Sequence, residues 1–309
     1  MLSPLSFAAR HGQKMAQHPA AAALLLCWLY KNKYGRDMMK RRLIAIDLDD
    51  TALFDLRTLD AGTVRALVRA KELGHIVVID TARPWCLTQM HYRTLGLDTP
   101  AVLLSGALAM SPEGEFAYRN YMPARTMGEI LSLAQGLTPL CAMMEIGDTL
   151  CLSGAPQHVY FDEVVRLSDV RRMPFSAFEA QSAGRLCLLF PAGAGGEAFA
   201  QRVQDLPGVR VFARAWPDGI FYVNIRAASV DKWTGLLPVL ARCGAAPEDV
   251  ISFGDAMDDY EMLKHSGLGF AMKNGSAELI EKVGRVTQYT NRESGVGREL
   301  DRALGLGVF

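Results

Sequence analysis

LIAIDLDDTA, residues 43–52, runs from an unbroken apolar stretch straight into a cluster of carboxylates. Apolar side chains with no polar alternation read as a strand covered on both faces, as in a parallel sheet flanked by helices. In an open sheet of that kind, ligands bind beyond the carboxyl ends of the strands, which is where Asp47, Asp49 and Asp50 fall. Carboxylates this close repel one another unless a cation or a proton lies among them. Mg2+ suits the set, because it takes oxygen ligands and leaves room for waters and phosphate oxygens. One carboxylate can attack phosphorus to give an aspartyl-phosphate, while a neighbour protonates the leaving group and then activates water. The same residues fail as a calcium loop: Ala52 stands sixth where glycine is required, and Thr58 stands twelfth where glutamate is required.

Outward from this stretch, a helical segment follows at Thr63 to Leu73, then the apolar runs HIVVID at 75–80 and AVLLS at 101–105. Strand alternating with helix indicates a parallel sheet with crossover helices. From Ala107 the texture changes to hairpin-like pieces, MMEIGDTLCLSG, RLCLLFP, VRVFARA and IFYVNI, with helices between. After Val230 the alternation resumes with a helix at Lys232 to Cys243, the strand VISFG at 250–254 and a helix at Asp258 to Ser266. The expected fold is α/β: a Rossmann-like parallel-sheet core at 43–106 and 229–309, an inserted α+β unit at 107–228, and an N-terminal extension at 1–42.

A second acidic turn occurs in the same setting as the first. VISFGDAMDDYEML, residues 250–263, is again a buried-type strand ending in Gly254, Asp255, Asp258 and Asp259. Thr81 directly follows the strand of VVIDTARP, and Lys232 opens a helix after the insertion. Alone, Thr81 reads as a helix cap and Lys232 as a solvated surface residue. Together with the acids, a hydroxyl and an ammonium are what the outer oxygens of a phosphoryl group need.

Four motifs in this order make the chain resemble the haloacid dehalogenase superfamily of phosphohydrolases, in its Cof-type group with a large α+β cap. The resemblance runs from Leu43 to Gly297 and includes FAMKNGSAELIEKV and YTNRESGVG. It implies that Asp47 is the nucleophile and a Mg2+ ligand, and that Asp49 is the general acid/base whose backbone carbonyl also reaches the metal. Asp255 becomes a further ligand, and Asp259 supports the metal directly or through water. Thr81 and Lys232 hold the phosphoryl group with the backbone N–H groups of Leu48 and Ala82, and Asp258 stands at a phosphate-binding position. The implied activity is Mg2+-dependent hydrolysis of a small phosphorylated metabolite: a sugar phosphate, nucleotide or cofactor phosphate. A phosphomutase and a non-catalytic metabolite-binding regulator are the alternatives. Asp50 and Ala82 replace the family's usual glycines and are tolerable where the local backbone stays within φ/ψ space open to non-glycine residues. Ser105 and Asp258 replace usual asparagines, and the Asp258 carboxylate is expected to repel phosphate unless protonated or turned away.

The chain has 309 residues, 50% hydrophobic and 21% charged, which excludes a disordered or collagen-like protein. Lys and Arg number 33, as do Asp and Glu, and a zero balance gives no basic field for nucleic acid. Residues 1–42 hold eight basic side chains (Arg10, Lys14, Lys31, Lys33, Arg36, Lys40, Arg41 and Arg42) against Asp37 alone, a head of +7. Subtraction from 33 and 33 leaves a body with 25 basic and 32 acidic residues, −7, a balance compatible with a cation site. The apolar run AAAALLLCWLY at 20–30 is too short to span a bilayer, which takes about 20 residues. It also lacks the cleavage site of a secretory signal. An interfacial or transit-like helix is one reading of the head; a loosely attached extension before Met38 and Met39 is the plainer one. The expectation is a cytoplasmic protein, monomer or homodimer, with no stable membrane span. Six scattered cysteines without C-x-x-C argue for free thiols rather than zinc or disulfides, and the histidines show no ligand spacing. PAGAGGEA at 191–198 matches a dinucleotide fingerprint but lacks the βαβ frame, so a plain strand-to-helix turn is expected.

Overall fold

A computed structural model describes residues 40–156 and 158–309. In chain order it begins with β1 (Leu43–Ile46), α1 (Ala61–Glu72), β2 (Ile76–Ile79), α2 (Trp85–Leu95), β3 (Ala101–Leu103), β4 (Leu108–Met110) and β5 (Ala117–Arg119). There follow α3 (Ala124–Leu133), β6 (Cys141–Ile146), β7 (Thr149–Gly154), α4 (Val159–Leu167), β8 (Asp169–Arg172), β9 (Arg185–Pro191), α5 (Gly196–Gln204), β10 (Val209–Ala215) and β11 (Ile220–Ala227). The chain closes with α6 (Lys232–Cys243), β12 (Val250–Gly254), α7 (Tyr260–His265), β13 (Leu268–Ala271), α8 (Ala277–Val283) and α9 (Gly295–Leu304).

The parallel sheet has the order β13-β12-β1-β2, with Leu43 of β1 opposite Val250 on one side and Ile76 on the other. Its two faces explain the unbroken apolar run. Ile44 and Ile46 pack in one core cluster with Leu67 of α1 and Leu300 of α9. Leu43 and Ala45 pack in another with Leu236, Val239 and Leu240 of α6. Burying both faces puts Asp47 at the end of the central strands, on the parity that faces α6.

AVLLS meets the end of β2 in the expected parallel direction and also opens a small antiparallel sheet. β3 pairs antiparallel with β4, and β4 with β5, and β3 meets the parallel sheet through a single bridge from Val102 to Asp80. The cause is a reversal at Leu104, Ser105 and Gly106, with φ of 53°, 57° and 100°. Glycine is required at the last of these, where an added Cβ would stand 2.0 Å from the Asp231 carbonyl oxygen.

The hairpin-like pieces form one six-stranded sheet, ordered β10-β11-β9-β6-β7-β8 and antiparallel except for β7 with β8. Leu186, Leu188 and Phe190 of β9 and Val223 and Ile225 of β11 face Phe199 of α5 and Ile130 of α3. The intervening residues, Arg185 and Cys187 on β9 and Tyr222, Asn224 and Arg226 on β11, occupy the other face. PAGAGGEA is a strand-to-helix turn between β9 and α5. The five described cysteines are free thiols. Among the described residues no helix is long and apolar enough to cross a membrane. The readings of the run at 20–30 and of most of the basic head lie outside the described residues.

Candidate active site

The N–H of Asp47 donates to the Phe253 carbonyl at 3.1 Å, so β1 and β12 stay in register to the first acid. Residues Leu48–Ala52 then form a wide helical turn. Asp50 in this turn has φ 52° and ψ 7°, a left-handed conformation where the family's usual glycine would be unstrained. The wide turn forces a left-handed residue, and aspartate tolerates that region better than most side chains. Ala82 conforms to expectation, since it is not among the described non-glycine residues with positive φ.

Lys232 is the first residue of α6, placed there by a capping box in which Asp231 accepts from the Thr234 N–H at 2.7 Å. Far from being solvated, it is 2% exposed, and its ammonium donates to Asp47 Oδ1 at 2.6 Å and Asp259 Oδ1 at 2.5 Å. The other oxygen of Asp259 accepts the N–H groups of Asp255 and Ala256, both at 3.0 Å. This folding-back explains Gly254: a Cβ there would lie 2.3 Å from Asp259 Cβ and Cγ. Thr51 Oγ1 donates to Asp255 Oδ1 at 3.3 Å.

One oxygen each from Asp47, Asp255 and Asp259 lies within 4.8 Å of the others. Three hard anionic donors in that space fit a hard divalent cation such as Mg2+. Burial pushes the Asp47 carboxyl well above its ordinary range, partly opposed by Lys232 and reinforced by Asp259 and Asp255. Asp255 is pushed up to about 7 by burial and then by Asp259. Burial works against the Lys232 ammonium, but Asp259 and Asp47 outweigh it and hold its pKa well above normal. The acids are thus crowded and desolvated, with one buried cation shared between two of them.

On the other side of Asp47, Thr81 is fully buried. It is not the cap of α2, whose N-cap is Pro84; its hydroxyl accepts the Arg83 N–H at 3.3 Å. Its N–H donates to the Val102 carbonyl at 2.9 Å, and its carbonyl accepts the Ser105 N–H at 3.1 Å. Asp49 stands apart from the three clustered acids. Its carboxylate, 43% exposed, is held by Arg83 through Nε to Oδ2 at 2.8 Å and a second bond from Nη2 to Oδ1. Asp258 is neither protonated nor left free to repel. Although burial opposes ionisation, Arg226 draws its pKa down to about 2, bonding through Nη2 to Oδ1 and Nη1 to Oδ2 at 3.4 Å.

Four residues around the site escaped sequence reasoning: Arg83, Arg185, Arg226 and Asp80. Arg185 pairs with Glu145 through both carboxylate oxygens and donates to the Ala82 carbonyl at 2.8 Å, tying β9 to the loop after Thr81. Asp80 is wholly buried with neither oxygen hydrogen-bonded. Arg83 had a local signal, two residues after Thr81 in TARP. The other arginines lie in the inserted segment and had none.

A family model for haloacid dehalogenase-like hydrolases matches residues 44–300, and the chain belongs to that family. It is accordingly an enzyme of the phosphoric monoester hydrolase class, the class in which its curated relatives are named. It is similar to the 5-amino-6-(5-phospho-D-ribitylamino)uracil phosphatase of Bacillus subtilis, 27% identical over 279 residues, covering 86% of this chain and 99% of the relative. With the pyridoxal phosphate phosphatase of Escherichia coli it is 27% identical over 256 residues, covering 76% and 89%. A haloacid dehalogenase-like hydrolase from Bacteroides thetaiotaomicron shares the fold, with a TM-score of 0.72 at 22% identity over 86% of this chain and 100% of that one.

Proposed function

We propose that this enzyme is a Mg2+-dependent phosphatase that hydrolyses a small phosphorylated metabolite through an aspartyl-phosphate on Asp47. The observation that carries the reading is the buried Lys232 ammonium bridging Asp47 and Asp259, with Asp255 beside them. A carboxylate oxygen of Asp47 attacks phosphorus as the ester P–O bond breaks, and Asp49 gives its proton to the departing oxygen. Asp49 then takes a proton from the water that attacks the same phosphorus. The acyl phosphate P–O bond breaks, releasing orthophosphate and restoring Asp47. Lys232, the Thr81 hydroxyl and the N–H groups of Leu48 and Ala82 receive the phosphoryl oxygens. Asp47, Asp255 and Asp259, with the carbonyl of Asp49, would hold Mg2+, which supplies charge neutralisation for the dianionic ester. Arg83 holds both oxygens of the ionised Asp49 carboxylate, so this pair must open before Asp49 carries the proton it gives.

The substrate is a sugar phosphate, nucleotide or cofactor phosphate in the cytoplasm, consistent with relatives named for a ribitylaminouracil phosphate and for pyridoxal phosphate. We place the core at 43–106 and 229–309 and the cap at 107–228, which closes over the strand ends and excludes water. The ion pair with Arg226 removes the objection that Asp258 raised against phosphate. Asp47→Asn should abolish Mg2+-dependent release of phosphate from an aryl phosphate, lowering kcat by at least about 1000-fold, as expected when a nucleophile is removed. Substantial residual turnover in that variant would overturn the assignment.

A further inference from the structure

Arg226 belongs to β11 of the six-stranded sheet, and Asp258 to the turn after β12 of the parallel sheet. On β11, Phe221, Val223, Ile225 and Ala227 fill the core, which leaves Tyr222, Asn224 and Arg226 on the opposite face. From there the guanidinium reaches across to Asp258, with side-chain exposures of 13% and 29% for the pair. A guanidinium carries five N–H donors in a rigid fork. Two of its nitrogens serve Asp258, while Nε is buried with no partner among the described residues. Nε has no accessible surface and is closed to a ligand, so the donors the guanidinium has left are the second N–H of Nη1 and the second N–H of Nη2.

The acceptor's place follows from the neighbouring residue. Asp259 shares Lys232 with Asp47, so the turn holding Asp258 stands at the nucleophile's edge. A lone carboxylate there would repel an incoming dianion. Paired with Arg226 its charge is cancelled, and what the pair still offers is N–H donors. The geometry points to Arg226 as a phosphoryl-binding residue: it donates to the oxygens of the bound phosphoryl group, and Asp258 fixes its guanidinium and balances its charge. The inference rests on the phosphatase reading and deepens it. Because the two halves come from different sheets, the donor is in place only while β11 is seated over the turn.

The test is calorimetric titration of the full chain, with Mg2+ present, by orthophosphate, alongside turnover of an aryl phosphate. Arg226→Met should weaken orthophosphate binding by about 10- to 100-fold, the range for a lost charged hydrogen bond, and raise KM in parallel. Should that variant fail to fold, Asp258→Asn carries the test: its amide oxygen can still accept from Nη2 and hold the guanidinium, the cancelling charge is gone, and orthophosphate binding should tighten several-fold. Unchanged orthophosphate affinity in folded Arg226→Met, with KM alone raised, would assign the arginine to the leaving group and overturn the inference. So would weaker binding in Asp258→Asn. Absence of Asp47-dependent turnover in the wild type sinks the phosphatase reading and the inference with it; turnover with unaltered orthophosphate affinity in Arg226→Met sinks the inference alone.

Discussion

Asp80 directly follows β2, fully buried, and neither carboxylate oxygen has a hydrogen-bond partner. Burial raises its pKa well above the ordinary value, although Lys232 pulls the other way and Asp259 and Asp47 add to the rise. Between the ordinary and the raised pKa, the folded protein keeps a proton that the unfolded chain has lost. Stability attributable to Asp80 therefore falls as pH rises through that window. Asparagine has the same shape and does not titrate. Asp80→Asn should match the wild type near pH 4 and exceed it at pH 8 by about 2 kcal/mol, the scale for a buried polar group without partners. Thermal melts across that range check the sign; a wild type that gains on the variant as pH rises would mean that the carboxylate is ionised and bonded. The acid itself is plain in VVIDTARP, but its burial is not, because burial comes from elements far along the chain. Asp47, Asp255, Asp259 and Lys232 were readable for the opposite reason: each lies at the end of a strand or start of a helix whose own apolar pattern marks the boundary.

Strand pairing supplies the other charges at the site. Glu145 of β6 stands opposite Arg185 of β9, and both side chains are buried with two bonds between them. The same arginine holds the Ala82 carbonyl, so a strand in the middle of the six-stranded sheet also fixes the loop after Thr81. Removing one partner of a buried pair strands the other's charge, whereas removing both is far milder. Arg185→Met should cost about 3–5 kcal/mol in urea unfolding, and adding Glu145→Leu should recover most of that loss. Equal losses in the single and double variants would show that the loop contact, not the ion pair, dominates. Such pairs are invisible to local reading, since their members are 40 residues apart and register alone brings them together. The same limit hides half of β3: it meets β2 in parallel as its composition suggests, but the left-handed backbone at Leu104 and Ser105 that folds the chain back into a hairpin has no local signature. The helix beginning at Lys232 and the strand at 250–254 were legible to the residue, because a cap and a glycine mark their ends.

Across the whole molecule, a net charge of zero conceals an acidic body in which three carboxylates crowd together. Lys232 offsets part of their repulsion by bridging two of them, and the Asp255 carboxylate accepts from the Thr51 hydroxyl. Such a cluster is held together by the fold and by β12 and α6 in particular, so it strains the folded state more than the unfolded one. A divalent cation that binds the folded site stabilises it by mass action, about 2.7 kcal/mol at 100 times Kd. For a chain of this size that corresponds to about 4–5 °C in Tm. Chelation by EDTA should therefore abolish turnover and lower Tm, and Mg2+ should restore both with a saturable dose dependence. Asp255→Asn separates the site from a general ionic effect. It removes a ligand and relieves repulsion together, so the variant should melt higher than the wild type without Mg2+ and lose most of the Mg2+-dependent rise. A variant that keeps the full rise would place the cation elsewhere on the acidic body.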